Sequence, residues 1–328
     1  MKMMKLRFGK IGYILVSVIF LLLASVCHQP SEQDNKNAVS TESTSSFSIS
    51  VKDDVGSVIS LDAPAKRIIA LAPHIVENVY SAGAGDLLVA VVDYANFPAQ
   101  ASKLPSVGGY NKFNIETIAA LKPDVVFAWQ SGTPAHFLEK IKQLGIPLYL
   151  DEPSTIHSVA NSIINIGKLT GRLNIAEAVA EEHLKQLEKV VTAQQNKSAI
   201  KVFYQVWDDP LYTINGKQII SDVLRLCGGK NIFAAEKIKA PIVNLEALLQ
   251  LNPDVIITGS EYKSADDALG TWKKWQNLSA VKHNNLFVVN PDIVSRHTVR
   301  ILQGVASVCE KLDQARNNLQ NAVSSQNQ

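Results

Sequence analysis

"NIETIAALKPDVVFAW" (residues 114–129) and "NLEALLQLNPDVIITGS" (residues 244–260) say nearly the same thing twice. The first copy opens on Asn114, a residue suited to cap a helix. Ile115, Ile118, Ala119 and Leu121 then give a short helix one apolar face. Pro123 stops it, and "DVVFAW" follows as a continuous apolar run, the pattern of a parallel strand buried on both faces. Two copies of a helix–Pro–Asp–strand unit predict two equivalent α/β lobes. The repeat distance is too long for a solenoid.

The surrounding chain fits that plan. "FSISVKDDVGSVISLD" (47–62) alternates around Asp-Val-Gly and reads as a hairpin. "RIIALA", "LLVAVV" and "PLYLD" read as strands, with helices in "HIVENVYSAGAG" and "AHFLEKIKQLG". The "GAG" at 83–85 follows a helix and lacks a third glycine, so it reads as a capping turn and not as a dinucleotide loop. Residues 173–196 hold no Gly or Pro, and Ala176, Ala180, Leu184, Leu187 and Val191 recur at helical spacing. This predicts one long helix connecting the lobes. The second lobe restarts with "KVFYQV" and a helix in "GKQIISDVLRLCGG". After the repeated phrase come a helix in "ALGTWKKWQNL", the strand "NLFVV" and a last helix in "RILQGVASVCEKLDQARNNL". The expected division is a signal at 1–27, a linker at 28–46, lobes at 47–170 and 198–322, and the connecting helix at 171–197.

The 328 residues suffice for two domains with real cores, and 46% hydrophobic with 19% charged residues excludes a disordered chain and a multi-span membrane protein. The net charge of +2, with no basic run interleaved with aromatics, argues against nucleic acid as a partner. Lys2, Lys5, Arg7 and Lys10 precede the apolar "YILVSVIFLLLASV" (13–26), the pattern of an export signal. Cys27 ends that stretch in "ASVC", which is similar to a lipoprotein box, although Val26 departs from the usual small residue. Cys27 is thus a candidate for lipidation, and the polar segment after it suits a tether. Cys227 and Cys309 remain, to be read as a disulfide in an oxidising compartment or as two buried thiols.

No GxSxG, HExxH, Walker loop or CxxC pair is present. The seven histidines lie apart in sequence, so neither catalysis nor a metal site is expected. The aromatics are more informative. Tyr94 and Phe97, Tyr110 and Phe113, Trp129, and Trp207 and Tyr212 fall at predicted strand ends or in the loops just after them. Open α/β sheets bind ligands there, and such rings suit a large, flat, partly apolar ligand. Asp292 and Arg296, after the last strand and at the start of the last helix, read either as a solvated pair or as polar groups aimed into the same cleft.

Six segments carry a family resemblance: "RIIALAPHIVE", "SVGGYNKFNIETIAALKPDVVFAWQSG", "VFYQVWDDPLYTINGK", "VLRLCGGKNIF", "VNLEALLQLNPDVIITG" and "PDIVSRHTVRILQGVASVC". Over roughly 65–312 the chain resembles the helical-backbone (class III) periplasmic substrate-binding proteins of ABC importers, and among them the cobalamin-binding branch. The resemblance implies two Rossmann-like lobes with mostly parallel sheets, joined by one long α-helix and showing little hinge motion. It implies a non-enzymatic monomer of the periplasm, soluble or tethered through Cys27. No cofactor is implied; cobalamin (vitamin B12) or a related corrinoid is the transported ligand. Ligand contacts carry over to Tyr94, Tyr110 (a Trp in the family pattern), Trp129, Trp207, Tyr212, Asp292 and Arg296. A disulfide carries over to Cys227 and Cys309. Glu116 and Glu246 match the family's docking glutamates, which meet a permease dimer of the BtuCD type. One family tryptophan falls at Ala240, which removes a ring from the second lobe. The alternative ligand in this fold is haem or a ferric siderophore, with Tyr94 or His74 as a haem ligand or Arg296 and Arg300 facing a siderophore.

Overall fold

Ile49–Lys52 (β1) and Val58–Leu61 (β2) pair antiparallel as the expected hairpin. Asp53 holds its turn by accepting from the N–H groups of Val55 and Ser57 at 3.1 and 2.7 Å. The computed structural model describes residues 48–109, 112–260 and 264–326. The signal, the linker, Cys27 and Tyr110 lie outside these residues.

The first lobe runs Ile68–Ala70 (β3), Pro73–Ser81 (α1), Leu88–Val91 (β4), Gly108–Gly109 (β5), Lys112–Phe113 (β6), Ile115–Ala120 (α2), Val125–Trp129 (β7), Ala135–Gln143 (α3) and Leu148–Asp151 (β8). Val159–Thr170 (α4) and Leu173–Gln194 (α5) follow. The second lobe runs Ile200–Gln205 (β9), Ile219–Leu226 (α6), Gly229–Asn231 (β10), Leu245–Leu251 (α7), Val255–Gly259 (β11), Ala265–Leu269 (α8), Ser279–Lys282 (α9), Leu286–Val289 (β12), Pro291–Val294 (α10) and Ile301–Gln326 (α11).

Each lobe has a four-stranded sheet, in the orders β4-β3-β7-β8 and β10-β9-β11-β12. Every pairing in both is parallel. In chain order within each lobe the two read alike, second-first-third-fourth. The same topology therefore stands behind the repeated phrase.

That phrase is a folding unit with one set of bonds used twice. Asn114 Oδ1 accepts from Thr117 N–H at 2.9 Å, and Asn244 Oδ1 accepts from Ala247 N–H at 2.7 Å. After the proline, Asp124 Oδ2 accepts from the N–H groups of Lys66 and Arg67 at 2.7 and 2.9 Å. Asp254 Oδ2 does the same for Lys201 N–H at 3.1 Å. The basic side chains return the contact: Arg67 donates to Leu121 O, the carbonyl just past α2, at 2.6 Å, and Lys201 donates to Leu251 O of α7 at 3.0 Å. Each aspartate thus ties the incoming strand to the edge of its neighbour, and each cation satisfies a carbonyl at the end of the helix that precedes the aspartate.

Both sheets are covered on both faces. Val125 and Phe127 of β7 pack into one core, while Val126 and Ala128 pack into another with Phe137 and Ile141. In the second lobe Val202, Tyr204, Val255 and Ile257 join the first core, and Phe203 and Ile256 face Trp272 and Leu278. The alternation explains the unbroken apolar runs. The inner core is common to the lobes, with Ile163 and Leu187 in it alongside Val223 and Val305.

The connecting helix α5 has 22 residues, about 33 Å at 1.5 Å per residue. Ala176, Ala180 and Leu187 are buried as expected, but Val191 is 38% exposed and His183 takes a buried place on the stripe. Three further expectations change. The segment 159–170, not assigned to any element, is the helix α4 packed on α5. "ALGTWKKWQNL" is not one helix: α8 gives way to a 3-10 turn at Gly270–Lys274, where Trp272 Nε1 donates to Gln205 Oε1 at 2.7 Å. Asp292 and Arg296 belong to α10 and the turn after it, because the last helix starts only at Ile301. Cys227, at the end of α6, is bonded to Cys309 of α11, and both are buried.

Candidate functional site

In a sheet ordered second-first-third-fourth, the first and third strands flank the point where the connections reverse, and a crevice opens beyond their carboxyl ends. In the first lobe that point lies between β3 and β7, and Trp129 is the last residue of β7. In the second it lies between β9 and β11, and Trp207 comes two residues after β9. Each lobe thus has one tryptophan at its switch point, but on different strands: Trp129 ends the third strand of the first lobe, and Trp207 follows the first strand of the second. Tyr94 follows β4, has positive φ (62°) and is 86% exposed. Trp207 is 61% exposed, its Nε1 donating to Asp209 O at 3.0 Å, and it pairs through backbone with Tyr212. Tyr94 and Trp207 stand in water at strand ends and contribute nothing to either core, which is what a binding surface requires.

Cross-lobe hydrogen bonds show that the two carboxyl edges face each other. Asn78 of α1 donates to His297 O at 2.8 Å, and Ile156 N–H, shortly after β8, donates to Asp222 Oδ2 at 2.9 Å. Arg296 reaches from the second lobe to Glu77 Oε1 and Asn96 Oδ1, both at 2.7 Å, while pairing with Asp292 at 2.9 Å. Arg300 meets the same Glu77 oxygen at 3.1 Å, and its guanidinium lies 3.9 Å from the centre of the Phe97 ring. Arg296 is thus neither solvated nor free to swing. Three fixed acceptors aim it, and Asp292 beside it stays partly exposed.

Trp129 rests on a built floor. A Cβ at Gly132 would stand 1.9 Å from the Trp129 ring, so only glycine fits beneath the indole. His74 meets the ring edge-on at 5.4 Å, and His297 lies 4.9 Å from His74 and 5.7 Å from Trp129. The histidines that lie apart in sequence thus include a pair in contact, brought together across 223 positions from opposite lobes. His74 Nε2 bonds to Asp151 Oδ2 at 3.2 Å. Burial pushes both imidazoles down to about 3 and the Asp151 carboxyl up to about 6. At neutral pH the histidines are uncharged. Among the described residues no group of three or more His, Cys, Asp or Glu is arranged to hold a metal.

Trp129 Nε1, Gln130 Oε1, His297 Nδ1, Asp151 Oδ1 and Glu77 Oε2 are buried with no hydrogen-bond partner in the protein. Such atoms are uncommon, and five around one junction give a polar counterpart to the rings. Two grooves of about 660 and 540 Å³ run along α5, but no Trp, Tyr or Phe lines them. The strand-end rings are elsewhere.

Of the expected ligand residues, Trp129, Trp207, Tyr94, Tyr212, Asp292 and Arg296 all lie at the carboxyl edges of the sheets. Glu116 and Glu246 are exposed in the first turns of α2 and α7. Sequence reading missed Glu77, Asn96, the His74–His297 pair and a Lys239–Glu152 ion pair.

The periplasmic binding protein family matches residues 68–293. The chain belongs to this family. The vitamin B12-binding protein of Vibrio campbellii is 36% identical over 256 residues, covering 78% of this periplasmic binding protein and 92% of the relative. The crystal structure of the periplasmic vitamin B12 binding protein BtuF of Vibrio cholerae superposes with a TM-score of 0.72 at 36% identity, covering 77% of this chain and 98% of that one. The periplasmic heme-binding protein RhuT of Roseiflexus reaches 0.68 at 19% identity, covering 76% and 99%, and shares the fold alone. The family is one of periplasmic binding proteins. No described helix is long and apolar enough to cross a membrane.

Proposed function

We propose that this periplasmic binding protein captures cobalamin or a related corrinoid and hands it to the permease dimer of an ABC importer. The observation that carries the reading is one tryptophan at the switch point of each lobe, Trp129 at the end of β7 and Trp207 just after β9. Two indoles, joined by Tyr94, Tyr110 and Tyr212, offer stacking area to the faces of a corrin ring. Asp292 and the fixed Arg296 offer an acceptor and donors to the amide fringe. Walls already in place lower the ordering cost of binding. The likeness to the Vibrio proteins named for vitamin B12 supports the same ligand.

Haem is the weaker reading. His74, one of its two expected axial ligands, is buried with Nε2 engaged by Asp151.

Glu116 and Glu246 are the docking charges in this reading. They stand at equivalent positions of the two lobes, as a permease with a basic site on each half would require. The protein works as a monomer, free or held to the membrane through acylated Cys27.

The test is the visible spectrum of protein desalted after incubation with cyanocobalamin, beside parallel incubations with haemin and a ferric siderophore. Corrin bands should co-elute with the protein. A haem spectrum with no retained corrin would overturn the assignment.

A further inference from the structure

Lys239 of the second lobe forms an ion pair through Nζ with Glu152 Oε1 of the first. Glu152 is held to receive it. Ser131, two residues past Trp129, donates its N–H to Oε2 at 2.8 Å and its hydroxyl to Oε1 at 2.9 Å. The N–H of Glu152 donates to Asp54 Oδ2 at 2.6 Å. Burial pushes this carboxyl up, but the bonds from Lys239 and Ser131 outweigh it and leave the group below its usual value.

Lys239 also begins an extended ribbon. Asn215 N–H donates to Lys239 O at 3.0 Å, Thr213 N–H to Pro241 O at 3.1 Å, and Val243 N–H to Leu211 O at 3.0 Å. Tyr212 pairs across it with Ile242 on one side and Trp207 on the other. In extended backbone the side chains alternate. Ile238 (68% exposed), Ala240 and Ile242 (59% exposed) share one face, while Lys239 and the buried Pro241 share the other. Two large aliphatic side chains in water, flanking Ala240 and beside an exposed tryptophan, form a patch with no role in the core.

We propose that the Lys239–Glu152 pair is a clasp that holds ribbon 239–243 to the turn carrying Trp129, and so positions Ile238 and Ile242 as an aliphatic wall of the cleft. The wall stands where the family pattern puts a tryptophan. Lys239 and Glu152 are positioning residues. Ile238 and Ile242 are contacts, and that half of the proposal rests on the corrinoid reading.

The clasp is tested without ligand and the wall with it. In the ligand-free full-length protein, Lys239→Met should speed hydrogen exchange at the Thr213 and Asn215 amides roughly two- to fivefold, the size expected for a partly exposed ion pair. Amides of β9 and β11 should not change, and Lys239→Arg should behave as wild type. Unchanged exchange at Thr213 and Asn215 overturns the clasp whatever the protein binds. With cyanocobalamin bound, Lys239→Met and Ile242→Ser should each release it roughly three- to tenfold faster. Release should accelerate with salt in the wild type but not in Lys239→Met. Faster exchange with unaltered release overturns the wall. A wild-type protein that fails to retain cyanocobalamin overturns the ligand reading, and the exchange result still decides the clasp.

Discussion

Glu77 of the first lobe and Arg296 of the second pair at 2.7 Å, with the carboxylate side chain only 2% exposed. The same oxygen serves Arg300, so one buried carboxylate fixes two cations. Glu77→Gln leaves those guanidinium groups without their shared counter-charge. Breaking a buried pair from one side costs on the order of 3 kcal/mol, and a urea titration should show a lower midpoint with an unchanged slope. Cyanocobalamin affinity should fall as well, because Arg296 loses one of the acceptors that aim it.

The Trp129 ring lies on Gly132, with 1.9 Å between the ring and where a Cβ would be. Gly132→Ala should therefore displace the indole without emptying the core. Fluorescence titration with cyanocobalamin is expected to show a loss of about 2 kcal/mol in affinity, the scale of a central aromatic contact. The double variant Trp129→Ala, Tyr110→Ala should lose more. Undiminished affinity in that double variant would place the ligand elsewhere.

Glu116 and Glu246 are exposed in the first turns of α2 and α7. Reversing both to Lys should leave cyanocobalamin binding as in the wild type. The only cost to the fold is the loss of favourable helix-dipole contacts, about 0.5 kcal/mol each. Uptake of labelled cobalamin by cells carrying the variant should cease, and wild-type uptake would remove the docking role.

The buried imidazoles set a pH dependence. His74 and His297 stand at about 3 in the folded protein against 6.5 in an unfolded chain. The unfolded state thus binds more protons below pH 6.5, and stability is lost as pH falls from there toward 3. Asp151, raised from 3.8 to about 6, acts in the opposite direction and recovers part of the loss between those values. Two imidazoles against one carboxyl leave a net loss of stability as pH falls below 6. Urea midpoints at pH 7.5 and 5 should differ more for the wild type than for His74→Gln, His297→Gln. An equal pH dependence in the two would refute the assignment.

The architecture was legible because a parallel strand covered on both faces reads as an unbroken apolar run, as β7 does throughout and β11 does over its first three residues. Helix α4 was not, although Val159, Ile163, Ile166 and Leu169 recur at helical spacing, because its contact with α5 sets small residues among them. Ser162 and Gly167 lie on its buried face, and a Cβ at Gly167 would come within 2.3 Å of Ala176 Cβ. Close helix packing wants small residues where an amphipathic pattern wants large ones. At the site, Trp129 and Trp207 could be found because strand ends can be found. Glu77 could not, since its partners lie 219 and 223 residues away and nothing local in α1 marks it. His74 and His297 stayed separate for the same reason.

Each sheet is made from one unbroken stretch of chain, 68–151 for the first and 200–289 for the second. A polypeptide that crosses a membrane as an unfolded thread emerges from its N-terminal end. The first lobe can therefore close its hydrogen bonds while the second is still in transit, as domains do during synthesis. The disulfide of the second lobe waits for the far end of the chain, because Cys227 meets Cys309 on α11. No cysteine lies between 28 and 226, so the half that folds first offers an oxidase no wrong thiol to join.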